Sequence, residues 1–260
     1  MNWWGKVIGG TFGFMMGGPL GAVLGAALGN YFDSGMALVA NDGRLGAQGT
    51  ERVQTAFFTA VFSLMGYVAK ADGRVSRNEI SLAEQVMNQM QLRPEQRKLA
   101  ISLFEQGKQD AFPYAEVIEQ FRRECLRRRN LIQMFLEIVT ATALADGRMD
   151  PAERRVLEAI ATTLGYPQSD YDRLVMRMSA QFRFNSGESP ADRLFEAYKV
   201  LGVTKDTPTD DIKKAYRKLM SQHHPDKLVS KGLPEEMTEI ATRKTQEIKS
   251  AYEFIMERRG

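Results

Sequence analysis

The 260-residue chain has few of the side chains that build common active sites. It contains one cysteine, Cys125, and two histidines, which are adjacent at positions 223 and 224. A single cysteine excludes an internal disulfide and agrees with a reducing compartment. A structural zinc site built from cysteines and histidines needs four ligands, which is more than the chain contains. Neither a Ser-His-Asp triad nor a Gly-Lys-Ser phosphate-binding loop is recognisable. We therefore expect no enzyme activity of its own and no cofactor.

The chain also lacks an excess of charge of one sign and any clear strand pattern. Lys and Arg number 35 against 32 Asp and Glu, so the net charge is only +3. A nucleic-acid partner, whose phosphates call for a strongly basic surface, is not expected from this balance. Apolar residues recur at three- and four-residue spacing and not in alternation. The sequence predicts an all-α protein.

Charged side chains are absent from Val7 to Phe32. A helix of this length covers a hydrocarbon core of roughly 30 Å. Trp3 and Trp4 precede the run and Tyr31 closes it. These positions place aromatic side chains at the two membrane interfaces, where such side chains are enriched. Residues 1–32 are therefore predicted to be a transmembrane anchor in contact with lipid.

Glycine recurs at every fourth position of this run, which places the glycines on one stripe of a helix. Such a stripe lets a second backbone approach closely and predicts self-association, most simply as a homodimer. A secretory signal peptide and a soluble glycine-rich hairpin remain alternatives, because glycine is a poor helix former in water. The stripe consists of Gly9, Gly13, Gly17, Gly21, Gly25 and Gly29.

A linker is predicted over residues 33–50, followed by a helical domain over 51–182 that has two related halves. One apolar helix leads to Ala71-Asp72-Gly73-Arg74, and a second leads to Ala145-Asp146-Gly147-Arg148. In both copies a glutamate stands at the seventh position after the aspartate. The repeated element resembles the TerB-like fold named for a tellurite-resistance protein.

That resemblance associates four acidic residues with metal binding: Asp72, Glu79, Asp146 and Glu153. The residues themselves favour a structural role, because glycine suits a left-handed helix end and both glutamates can complete capping boxes. We therefore predict no metal site, with these four as the candidates if one exists.

A dense basic run lies between the two halves. A solvated helix face is the simplest interpretation, and a contact with anionic lipid head groups or with a partner protein is the alternative. Cys125 lies inside the run and is interpreted as structural. The run consists of Arg122, Arg123, Arg127, Arg128 and Arg129.

A second linker is predicted over residues 183–191, and a helical hairpin over 192–260. The sequence Thr209-Asp210-Asp211 is typical of a helix start, since threonine can cap and carboxylates favour the positive end of the helix dipole. The helix is predicted to run to about Gln222, because Pro225 pushes His224 out of helical geometry. An exposed loop over about 224–234 and a second amphipathic helix follow.

This hairpin closely resembles the J domain of DnaJ-type co-chaperones. The matching segments are Leu194–Val203, Ile212–Leu219, His224–Lys227 and Ile248–Tyr252. The resemblance implies docking onto a DnaK-type chaperone and stimulation of its ATP hydrolysis.

By the same resemblance, two groups of residues have separate roles at that partner. The trigger of hydrolysis would be His224, Pro225 and Asp226. The basic helix that meets an acidic partner surface would be formed by Lys213, Lys214, Arg217 and Lys218.

The order of the three parts resembles that of membrane-anchored DnaJ-like co-chaperones. This implies a single-pass protein of the bacterial inner membrane, with the middle and J domains in the cytoplasm and a role in envelope-related or stress-related processes. The orientation follows from the ATP-consuming partner and not from flanking charge. A rival hypothesis is a metal-responsive membrane sensor or scaffold that acts through the middle domain.

Overall fold

The computed structural model describes residues 17–32, 48–71, 73, 77–90, 92–144, 149–186 and 189–259. Within these ranges every regular element is a helix, as predicted. A short 3₁₀ turn, Glu235–Met237, precedes the last helix. The α-helices are α1 Gly18–Phe32, α2 Gln48–Ala69, α3 Arg77–Gln89, α4 Pro94–Gly107, α5 Tyr114–Glu124, α6 Arg129–Ala143, α7 Pro151–Thr163, α8 Gln168–Ser186, α9 Pro190–Leu201, α10 Thr209–His223, α11 Pro225–Val229 and α12 Thr238–Arg259.

The two related halves predicted for the middle domain are confirmed by the helix boundaries. Helices α3 and α7 begin 74 residues apart, and α4 and α8 also begin 74 residues apart. Helices α2 and α6 end 74 residues apart. Helix α7 opens with the predicted capping box, in which Asp150 accepts from Ala152 N and donates its own N–H to Glu153.

Helix α2 forms the centre of the middle domain, and its aromatic rings pack against α5 and α6. The ring of Phe57 lies 6.0 Å from that of Phe121 and 6.2 Å from that of Phe135. Two glycines let α2 and α4 approach closely. A Cβ atom on Gly66 would lie 2.0 Å from Phe104 O, and one on Gly107 would lie 1.7 Å from Ser63 O.

Helix α1 packs on the middle domain, which differs from the expected anchor set apart by a linker. Leu20, Val23, Leu24 and Ala27 are buried in the same apolar cluster as the middle domain. Gln120 ties the start of α1 down, because its Oε1 accepts from Leu20 N at 2.8 Å. Because the sequence of α1 is apolar on all sides, it does not show which stripe of the helix contacts the middle domain. Among the described residues, no helix has both the length and the apolarity that a membrane crossing requires.

Helix α8 continues to Ser186, inside the predicted linker at 183–191, and its last turns belong to the C-terminal domain. Ala180 and Phe184 are buried in the cluster formed by α9, α10 and α12. The ring of Phe184 packs edge-on to Phe254, with centroids 5.5 Å apart. Likewise, α2 begins at Gln48, inside the first predicted linker. The middle and C-terminal domains are therefore joined by a shared helix.

Candidate partner-binding surface

Helix α10 carries the basic residues predicted to meet a partner. It begins at Thr209, as expected, but Pro208 is the N-cap residue and no side chain caps the helix. The helix ends at His223, one residue beyond the predicted end. Ile212 and Leu219 are buried, and Tyr216 stacks on Tyr252 with ring centroids 4.2 Å apart.

The opposite face of α10 is exposed and positively charged. Lys213, Lys214, Arg217 and Lys218 all lie on the surface. Lys214 Nζ pairs with Asp211 at 2.8 Å, and this hydrogen bond raises the pKa of the lysine. Exposed pairs of this kind contribute little to stability. These side chains therefore remain accessible to a larger partner.

The His-Pro-Asp tripeptide sits at the junction of α10 and α11. His224 has extended backbone geometry, with φ −60° and ψ 123°, and Pro225 is the first residue of α11. This confirms that proline ends the preceding helix. The side chains of His224 and Asp226 are exposed, while Pro225 is half-buried. The tripeptide is thus presented to solvent at a short turn between two helices.

Part of the predicted exposed loop is buried, contrary to the sequence prediction. Leu228 and Leu233 are fully buried in the apolar cluster of the middle domain, whereas Lys227 and Ser230 are exposed. Gly232, with φ +100°, is also buried, and a Cβ atom there would lie 2.7 Å from Val53 Cγ1. These positions are buried because a second domain covers them, which the sequence spacing of a hairpin does not indicate.

A buried, hydrogen-bonded pair of side chains joins the two domains immediately before the tripeptide. His223 Nε2 lies 2.9 Å from Glu137 Oε1 and 3.1 Å from Oε2, while Nδ1 lies 2.9 Å from Leu219 O. The side chains are 3% and 8% exposed. Burial alone would raise the pKa of Glu137, but the charges of His223 and Lys244, together with hydrogen bonds, hold it well below its usual range.

Sequence analysis missed this pair. His223 has the spacing of the packed face of α10, and Glu137 is the one charged residue inside the apolar stretch from Leu131 to Ala145 of the sequence. A lone carboxylate in such a helix is the available signal, because a buried charge requires a partner. The pair places α6 beneath the end of α10.

Two side chains of the middle domain hold the two ends of the tripeptide loop. Arg128 Nη1 donates to Lys231 O after the tripeptide. Asn130 Nδ2 donates to Gln222 O before it, at 3.3 Å. The loop is therefore held from both sides by residues at the start of α6.

The basic run is not a single helix face. Helix α5 ends at Glu124, and a turn of residues 125–128 separates it from α6. Burial raises the pKa of the Cys125 thiol to about 12, which agrees with the structural interpretation. Leu126 is 62% exposed, and Arg127 adopts a left-handed conformation with φ 65°.

Of the metal candidates, Asp72 and Asp146 and the side chain of Glu79 lie outside the described residues. The carboxylate of Glu153 is buried and accepts from Asp150 N at 3.0 Å. Within the residues that the structure describes, no group of three or more His, Cys, Asp or Glu is placed to hold a metal ion.

Of the six striped glycines, Gly9 and Gly13 lie outside the described residues. Gly17 precedes α1 and has φ +54°. Gly21 is buried, whereas Gly25 is exposed and a Cβ atom there would meet nothing within 4 Å. The last of the six, Gly29, lies within α1.

Comparisons with known families agree with this three-part architecture. The model of the co-chaperone DjlA transmembrane domain matches residues 1–44. The model of the tellurite resistance protein TerB matches residues 58–176. The DnaJ domain matches residues 196–259. The membrane anchor, the middle domain and the J domain are thus each recognised as a family.

Several curated relatives extend over almost the whole chain. The co-chaperone protein DjlA of Photobacterium profundum is 41% identical over 99% of this chain and 99% of its own length. The DjlA protein of Shewanella oneidensis is 43% identical over 100% of this chain and 99% of its own length. The DjlA protein of Coxiella burnetii is 43% identical over 98% of this chain and 97% of its own length. No solved structure matches the chain. Because the helical architecture, the three family models and these relatives agree, the chain belongs to the family of DjlA co-chaperones, membrane-anchored proteins with a TerB-like domain and a DnaJ domain.

Proposed function

We propose that this co-chaperone docks on a DnaK-type chaperone through α10 and the His-Pro-Asp tripeptide and stimulates the partner's ATP hydrolysis. The observation that supports this most directly is the exposure of His224 and Asp226 at the junction of two helices. The exposed lysines and arginine of α10 lie on the helix that leads into this junction. The basic face accelerates encounter with an acidic surface, and the tripeptide then makes the specific contact.

Single-turnover ATP hydrolysis by a DnaK-type chaperone tests this proposal. The full chain, purified in a mild detergent, is compared with His224→Gln and Asp226→Asn. Asp206→Asn is the matched control, because Asp206 is an exposed aspartate of the same domain in the loop between α9 and α10. We expect both tripeptide variants to lose stimulation and the control to keep it. Stimulation that survives in both tripeptide variants would contradict the proposed trigger.

We further propose that the chain is anchored in the bacterial inner membrane with its helical domains in the cytoplasm, where it serves envelope-related or stress-related processes. The support is chemical: the proposed partner consumes ATP, and Cys125 is the chain's one cysteine, so no internal disulfide is needed. Protease digestion should cleave the helical domains in inverted membrane vesicles and spare them in intact spheroplasts. The reverse pattern would contradict this orientation.

Self-association through the glycine stripe is the remaining proposal. In the described part of the stripe, Gly17 and Gly25 both have open surroundings, and of these two Gly25 lies inside α1. Leucine at Gly25 would separate two helices that pack there, so Gly25→Leu should reduce cross-linked dimer in detergent. Ala26→Leu is the control, because Ala26 is an exposed neighbour outside the four-residue spacing. Equal cross-linking in both variants would rule out the stripe as the contact.

A further inference from the structure

The turn between α5 and α6 has two unusual properties. Leu126 is 62% exposed, the highest value among the large apolar side chains that the structure describes as exposed. Arg127, with φ 65°, is the non-glycine residue with positive φ in the described part of the chain. A residue of this type costs about 1 kcal/mol or more in that conformation and is found mostly where function requires it. The turn therefore displays an apolar and a basic side chain at some cost.

The turn lies beside the His-Pro-Asp tripeptide. Arg128, the next residue, donates to Lys231 O, and Asn130 donates to Gln222 O. Consecutive Cα atoms are about 3.8 Å apart, and Arg127 precedes Arg128 directly and Asn130 by three positions, so it lies close to both anchoring contacts. The buried pair of His223 and Glu137 holds the same region from below. The position of the turn relative to the tripeptide is therefore set by three independent contacts.

These contacts present the tripeptide to solvent. Leu228 and Leu233 are buried against the middle domain, while His224 and Asp226 remain exposed. A partner that reaches the tripeptide approaches a surface that contains both domains. A stable interface covers about 800 Å² of each partner, which is more than a tripeptide offers. Arg128 and Asn130, at the end of the turn and the start of α6, contact the segments on both sides of the tripeptide.

The charge of the turn matches that of α10. Arg123, Arg127 and Arg129 are exposed, as are the basic residues of α10. Two surfaces of the same sign on either side of one loop suit a single acidic partner. Leu126 adds an apolar contact, of the kind that interfaces bury at their centre.

We propose that the turn of residues 125–129 is a second contact for the same DnaK-type partner, continuous with the tripeptide and α10. This inference rests on the proposed function and adds to it a role for the middle domain. That domain contributes affinity through Leu126 and Arg127, while the tripeptide supplies the trigger. An autoinhibitory role, in which the middle domain restrains the J domain, is the opposite prediction.

The test measures two quantities for the full chain in detergent. One is the affinity for the DnaK-type chaperone with ATP, and the other is the maximal stimulation of hydrolysis. The variants are Leu126→Ser and Arg127→Asn, since asparagine tolerates positive φ. The matched control is Arg173→Asn on α8, an exposed arginine whose local pair with Asp170 resembles other surface pairs.

We expect each turn variant to weaken binding about three- to tenfold with unchanged maximal stimulation, because hot-spot contacts contribute affinity and the trigger is intact. Arg127→Asn should also reduce the salt dependence of binding. The control should bind as the unmodified chain does, and His224→Gln should lose stimulation.

Unchanged affinity in both turn variants would overturn the inference, and tighter binding or higher stimulation would replace it with autoinhibition. If the unmodified chain binds the chaperone but does not stimulate its ATP hydrolysis, only the proposed function is contradicted. The affinities of the two turn variants would then still test the role of the turn. Absence of any binding would overturn both.

Discussion

The buried pair of Glu137 and His223 should stabilise the chain by joining its two domains. A buried hydrogen bond to a charged group contributes about 1.5–3 kcal/mol. The side chains are 3% and 8% exposed and their nearest atoms lie 2.9 Å apart, so this range applies here. We expect Glu137→Gln to lower the free energy of unfolding by about 2 kcal/mol, since glutamine keeps a hydrogen bond but not the charge.

A double-mutant cycle with His223→Gln isolates the pair. The double variant should lose less than the sum of the single losses, with a coupling energy of about 1–3 kcal/mol. Urea unfolding of the full chain in detergent, followed by far-ultraviolet circular dichroism, measures these values, because both tryptophans lie near the amino terminus and report poorly on the interface. Glu158→Gln, which removes an exposed pair with Arg154, is the control and should change stability by less than about 1 kcal/mol. Additive losses, or a Glu137→Gln effect as small as the control's, would refute this reasoning.

The pH dependence of the same variant has a defined sign. The pKa of Glu137 is lowered in the folded chain. Its contribution is therefore fully present above the ordinary glutamate value of about 4.3 and is lost as the pH falls below it. The stability difference between the unmodified chain and Glu137→Gln should shrink as the pH falls below about 4.3.

Two further predictions concern the middle domain. Gly66→Ala should destabilise the chain by at least about 2 kcal/mol in urea unfolding, because the new Cβ atom would clash with Phe104 O. Gly49→Ala in the same helix meets open space and should be neutral or slightly stabilising. Equal effects of the two variants would contradict the close packing of α2 and α4. Cys125, whose pKa is raised to about 12 by burial, should resist iodoacetamide at pH 8 and react only in urea, and rapid labelling of the native chain would show that the thiol is accessible.

Several elements of the fold could be predicted from the sequence because they depend on local interactions. The end of α10 follows from Pro225, whose ring and missing N–H stop a helix wherever it stands. The start of α7 follows from Asp150 and Glu153, which cap within one turn. The repeat of 74 residues is visible because both halves use the same local signals.

The candidate site was predicted only in part, because only some of its features depend on local interactions. The tripeptide and the basic face of α10 are contiguous in sequence, and the resemblance to a J domain identifies them. The exposure of His224 and Asp226, on which the proposed function depends, is a property of the packed molecule. The positive φ of Arg127 likewise has no sequence signal, since arginine rarely adopts it.

The sequence by itself determined the helices, their repeat, the three-part order and the chemistry of the tripeptide, because each depends on side chains within a few positions of one another. The tertiary structure alone decided that α1 covers α4 and α5, that Leu228 and Leu233 beyond the tripeptide are buried, and that Glu137 meets His223. Those two residues are 86 positions apart. Helical periodicity shows which face of a helix is apolar but not which other helix that face meets, and that choice is made by the packing of the whole chain.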